Sequence, residues 1–254
     1  MEADSLFSQG EYLSARVAYE RLIFNGYPDT NSLLLKKSYC LKAEGKFEEA
    51  YNTLLSADFF QEPDSLKTKL YYESVLNSFL MGKYDLSYNK IQELHNYLPA
   101  VSMPMIDLLE ILNLNNQHKL KEAEEKFKQF VSKYQLSDQM DIYRQKKFTK
   151  LRNPEKAESI SHFLPGIGQW YAGYPVRGIT SGLIQTGLLT FTAYSFLNGY
   201  YFGGAFTGMG TFYKFNNGGA RHAHYLAEKK NRKTIDRLNE EIKKIGAAAI
   251  RKKV

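Results

Sequence analysis

The apolar residues of this chain follow two different patterns. Up to about residue 136 they recur at steps of three and four among charged residues, whereas the 36 residues from Gly178 to Tyr213 include no Asp, Glu, Lys, Arg or His. The first pattern also repeats. Gly10, Gly45, Gly82 and His118 stand 35, 37 and 36 residues apart. At offsets of two, five, nine and twelve from each lie Tyr12, Ala15, Tyr19 and Leu22; Phe47, Ala50, Leu54 and Ala57; Tyr84, Ser87, Ile91 and Leu94; and Leu120, Ala123, Phe127 and Phe130. Such steps place four side chains on one helical stripe, because an α-helix turns once in about 3.6 residues. The small residue at the second of these positions lets a preceding antiparallel helix approach closely. The glycine suits a tight turn between the two helices, where a left-handed backbone carries little penalty; His118 at the fourth such turn predicts a more open connection. Leu33–Ala43, Leu70–Met81 and Met103–Leu114 read as the preceding helices, and Pro28, Pro63 and Pro99 fall between repeats, where helices must stop.

This unit of about 36 residues resembles the tetratricopeptide repeat family, a helix–turn–helix that stacks into a solenoid, over residues 1–136. The resemblance implies a concave groove for a protein partner, and by register with the family its lining is Tyr39, Tyr72, Leu76, Phe79, Leu108 and Leu112. Only nine residues precede Gly10, which leaves room for a short first helix or implies that a targeting segment once preceded Met1.

The second pattern predicts membrane contact. Thirteen of the 18 glycines lie between Ser159 and Gly219, a density that weakens helices in water by roughly 0.5–1 kcal/mol each but allows close helix packing in lipid. A span takes about 20 residues, so the uncharged run predicts a two-helix transmembrane hairpin near 178–196 and 200–215, with Asn198-Gly199 as its turn. Gly178/Gly182, Gly199/Gly203 and Gly204/Gly208 are small-residue pairs that predict close-contact faces, and aromatic residues from Trp170 to Tyr213 sit near the ends, as at an interface. Thr180, Ser181, Gln185, Thr190 and Thr192 dilute the apolarity, which keeps a buried, soluble helical pair as the alternative.

Charge is divided in the same way. Residues 1–143 carry a balance of -6, 144–158 of +4, 159–219 of +2 and 220–254 of +7. Basic segments flanking an uncharged stretch point to an anionic lipid surface rather than to nucleic acid. The expected organisation is all-α: a repeat solenoid over 1–136, a basic helical linker over 137–158, the hydrophobic hairpin over 159–219 and a basic helical tail over 220–254.

Pro165, Gly166, Gly168, Gln169, Tyr171 and Gly173, followed by Arg177, resemble the Pro-Gly-x-Gly-Gln entry into a two-helix membrane hairpin of small bacterial membrane proteins. Joined to the repeats, they resemble bacterial envelope proteins of tetratricopeptide type, which implies the bacterial inner membrane and envelope or membrane-protein biogenesis. Basic flanks at both ends imply cytoplasmic repeats, while a removed secretory signal would make them periplasmic; no signal peptide is visible at the N-terminus.

Catalytic chemistry is not indicated. Gly166-x-Gly168 lacks the third glycine of a dinucleotide loop, because Tyr171 stands there. His222-Ala-His224 has no further ligands at metal spacing, no triad motif surrounds any serine, and no cofactor is implied. Cys40, the one cysteine, sits in an apolar helical pattern and reads as core. The expectation is a noncatalytic, membrane-anchored protein-interaction scaffold with a protein partner and membrane lipids as ligands. A lipid- or solute-handling component using Gln169 and Arg177, or a soluble repeat adaptor, are the alternatives.

Overall fold

The computed structural model describes residues 2–59, 62–136, 141–144 and 151–253; parts of the expected linker, 137–140 and 145–150, lie outside these. Among the described residues the chain is helical throughout, with no strand. It divides into two compact units, residues 1–140 with 241–254, and residues 141–240.

The first unit begins with eight helices: α1 Glu2–Ser8, α2 Tyr12–Phe24, α3 Thr30–Ala43, α4 Phe47–Leu55, α5 Asp64–Leu80, α6 Tyr84–Tyr97, α7 Pro104–Asn116 and α8 Leu120–Lys133. They form four consecutive hairpins, and one turn is used four times. Gly10, Gly45, Gly82 and His118 have φ of +82°, +75°, +74° and +60°. The following amide reaches back to the carbonyl five residues earlier, as Glu11 N to Leu6 O, Lys46 N to Leu41 O, Lys83 N to Ser78 O and Lys119 N to Leu114 O. This is the paired-hydrogen-bond stop that a left-handed residue allows at a helix end. The more open turn expected at His118 is not found; the histidine adopts the glycine geometry, which costs about 1–2 kcal/mol for a residue with a Cβ.

Burial follows the repeat register. Ala15, Ala50, Ser87 and Ala123 are fully buried, as are Tyr19, Leu54, Ile91 and Phe127 one turn later. The polar member is satisfied: Ser87 Oγ donates to Val75 O at 3.0 Å and accepts from Asn113 Nδ2 at 2.9 Å. Adjacent hairpins are tied by Asn31, which bonds both backbone groups of Asp58, and by Lys42–Glu73 and Lys126–Glu110 pairs at 2.6 and 2.9 Å. Both carboxylates are nearly buried, and these lysines compensate charge that would otherwise be costly to remove from water.

In the second unit, a 3-10 turn at Ile142–Arg144 precedes α9 Pro154–Phe163, α10 Ile167–Tyr171 and α11 Pro175–Leu197. Asn153 caps α9 by accepting from Lys156 N at 2.7 Å, with Pro154 at the first helical position. The turn after α11 falls at Asn198-Gly199, with Gly199 at φ +79° and Tyr200 N bonded to Ser195 O. The returning limb passes through a π-helical segment, Gly203–Met209, into α12, Gly210–Lys253. Ala157, Ala172, Ala223, Leu226 and Ala227 form the core where α9, α10 and α12 meet.

The structure changes two expectations. The divisions at 158/159 and 219/220 coincide with no break, because α9 and α12 run through them and α12 contains no proline. More important, among the described residues no helix is long and apolar enough to cross a membrane. The polar residues of α11 are the cause on the outgoing limb. On the return, the apolar stretch passes without interruption into the basic sequence of α12.

Candidate functional site

The residues expected to line a groove lie on α3, α5 and α7, the first helices of their hairpins. Tyr39, Tyr72, Leu76 and Phe79 are half-buried, while Leu108 and Leu112 are buried. Tyr39 lies beside the Lys42–Glu73 pair, with Lys42 Nζ 5.2 Å from its ring centre. Burial, then the Glu73 charge, pushes its hydroxyl up to about 12, so it stays a neutral donor. Leu108 is covered by the chain itself. Ile242, Ile245, Gly246 and Ala249 form the buried stripe of the α12 end that belongs to this unit. A Cβ on Gly246 would come within 2.6 Å of Leu108 Cδ2. The spacing of the repeats contained no sign of this contact; the i, i+3, i+4, i+7 pattern of small and apolar residues in the tail was the signal for it.

The second group of expected residues is brought together at the entry to α11. Pro165, Gly166, Gly168 and Gly173 act through backbone shape. Gly166 has φ +91°, and a Cβ there would sit 2.1 Å from Gly178 O; one on Gly168 would sit 2.0 Å from Ala157 O. Gly173, at φ +90°, ends α10. Gln169 is 1% exposed and bridges three elements, accepting from Ser161 Oγ and donating through Nε2 to Gly219 O, both at 2.8 Å. Tyr171 Oη accepts from Asn153 N at 3.2 Å, with Arg152 and Lys156 over its ring. Asn231 adds a further clamp, since its carboxamide exchanges two 2.7 Å bonds with the backbone of Arg152.

The expected glycine pairs divide. Gly178 and Gly182 face the carbonyls of Gly166 and Pro165, so they serve the entry turn. Gly204 and Gly208 pack against Phe196 and Thr192 of the opposite limb, and Gly199 and Gly203 face open space.

Beside this junction lies a cleft of about 650 Å3 lined by the opening turns of α11 and of α12. Arg177 stands on its rim. Arg177 Nη1 donates to His222 Nε2 at 3.2 Å, which requires the neutral imidazole, because guanidinium can only donate. Burial, then the Arg177 charge, lowers the His222 pKa in keeping with that state. His224 turns elsewhere, with Nδ1 2.9 Å from Glu158 Oε2 and Nε2 3.5 Å from Glu228 Oε1. The two histidines therefore do not converge. Among the described residues no group of three or more His, Cys, Asp or Glu is placed to hold a metal. Cys40 is fully buried, and burial pushes its thiol up to about 11, leaving it unreactive.

Comparison with known proteins gives no match to a family model, a curated protein or a solved structure.

Proposed function

We propose that this chain is a noncatalytic protein-interaction scaffold of tetratricopeptide type, held at the bacterial inner membrane by its glycine-rich hairpin and serving envelope or membrane-protein biogenesis. The observation that carries the reading is the surface of the second unit. Phe163, Val176, Leu183, Leu197, Phe202 and Phe206 are 68–86% exposed, and many other large apolar side chains from Leu164 to Phe215 are exposed with them. Soluble proteins seldom present so large a contiguous apolar patch to water, and lipid is the environment that covers it at least cost. Neither limb need cross the bilayer alone, since an amphipathic hairpin can lie with its apolar side among acyl chains. The basic residues after Ala220 would then lie near anionic headgroups.

The repeats supply the binding half of the proposal. Tyr39, Tyr72, Leu76 and Phe79 form a half-buried apolar and aromatic stripe of the kind that receives an amphipathic helix. The contact of Gly246 with Leu108 supports a helix with a small-residue face as the sort of segment that fits there. The test is fractionation of the full chain and of Leu189→Arg. Leu189 is 42% exposed, so the substitution need not disturb packing. A charge held among acyl chains costs about 2.5–3.5 kcal/mol on insertion scales. The wild type should remain with carbonate- and salt-washed membranes, and the variant should be released or degraded. Equal fractionation of the two would refute the anchor.

A further inference from the structure

We propose that the cleft beside the entry turn binds the phosphate headgroup of an anionic phospholipid, with Arg177, Lys214 and His222 on the phosphate and Val176, Ile184 and Phe215 along an acyl chain. The inference rests on the membrane-anchored reading and adds to it a specific lipid site. Two helices build the cleft with the same spacing. Val176, Arg177, Thr180, Ser181 and Ile184 come from one, and Lys214, Phe215, Gly218, Gly219 and His222 from the other. Positions i, i+1, i+4, i+5 and i+8 share one helical face, so two stripes line one cleft. Space exists between them because of glycine: a Cβ on Gly218 would meet nothing within 4 Å.

The charge of the cleft identifies the ligand. Arg177 and Lys214 line it with His222, no carboxylate does, and among the described residues neither cation forms an ion pair. His224, two residues beyond His222, has two glutamates beside it instead. A cationic pocket without its own acids favours an anion. Guanidinium and ammonium together suit phosphate oxygens. The apolar residues of the lining favour an amphiphile over a free anion: Val176, Ile184 and Phe215 are all exposed, part of the same apolar surface that the anchoring reading places in lipid.

The test is flotation of the purified full chain with neutral phosphatidylcholine vesicles and with vesicles that also contain phosphatidylglycerol. The wild type should float with both and prefer the anionic ones by about tenfold, from roughly 1 kcal/mol per basic group at the headgroup. Arg177→Gln with Lys214→Gln should abolish most of that preference, and so should Gly218→Leu, which fills the cleft without altering charge. All three positions are accessible, so the fold is retained. Arg232→Gln with Lys233→Gln should keep most of the preference. If the cleft variants prefer anionic vesicles as the wild type does, or the preference follows Arg232 and Lys233, the site is refuted while the anchor stands. Loss of the wild-type preference on adding inorganic phosphate at matched ionic strength would identify a free-anion site and overturn the lipid assignment. Failure to float with either vesicle would contradict both readings.

Discussion

His118 shows how one residue can hold a repeat turn against its own preference. It occupies the left-handed position that glycine fills in the other three hairpins, at φ +60°, with the same pair of backbone bonds closing the helix end. His118→Gly should therefore stabilise the repeat unit by about 1 kcal/mol, the left-handed penalty less the added freedom of the unfolded chain; chemical denaturation measures it, and an unchanged or lower midpoint would show that the imidazole makes a compensating contact. Asp4 makes a second residue-level case. It accepts from Lys36 Nζ and Tyr19 Oη, each at 2.8 Å, and these bonds hold its carboxyl below the usual 3.8. Because the folded pKa is the lower one, its contribution is fully present above about pH 4 and is lost as pH falls through the folded value. Asp4→Asn should thus lower stability at neutral pH and make little difference in strong acid.

At the scale of elements, the repeat helices and the hairpin turn were legible in the sequence because each rests on local chemistry. A left-handed turn needs glycine or a tolerant substitute, and a buried stripe needs apolar residues at steps of three and four. The expected positions Ala15, Ala50, Ser87 and Ala123 are all buried, and Asn198-Gly199 is a turn. What was not legible depends on distant contacts. The entry glycines have the composition of a membrane packing face, yet Gly166, Gly168 and Gly178 are required by close approaches of backbone to backbone within the junction. The returning limb and the basic tail differ in composition but are one helix, since no proline or cap separates them. These contacts yield a discriminating pair of variants. Gly168→Ala places a Cβ 2.0 Å from Ala157 O and should destabilise the second unit by about 1–3 kcal/mol, as overpacking does. Gly187→Ala, with nothing within 4 Å, should leave it unchanged or stabilise it by up to about 1 kcal/mol through helix propensity. Thermal unfolding in detergent compares them, and equal effects would show that the junction is not close-packed.

For the molecule as a whole, the account assigns two tasks to two units: the repeats bind a protein and the hairpin engages lipid. The candidate groove residues fall on successive first helices, as register implied, but the cover on Leu108 could not be foreseen because it comes from residues more than a hundred positions away. The hairpin's apolarity was plain in the sequence, whereas its inability to supply a membrane-crossing helix emerged from how far its limbs extend and where polar residues fall along them. Cys40 is buried and unreactive, so single cysteines introduced at exposed sites can carry a spin label without interference. Full-length protein reconstituted in vesicles, labelled in turn at Leu183, Phe202 and Phe206 on the hairpin and at Leu55 on the repeats, tests the central claim most directly through collision with oxygen, which concentrates in lipid, and with a water-soluble nickel chelate. The account predicts oxygen-dominated relaxation at the three hairpin sites and chelate-dominated relaxation at Leu55; chelate access at all four would contradict it.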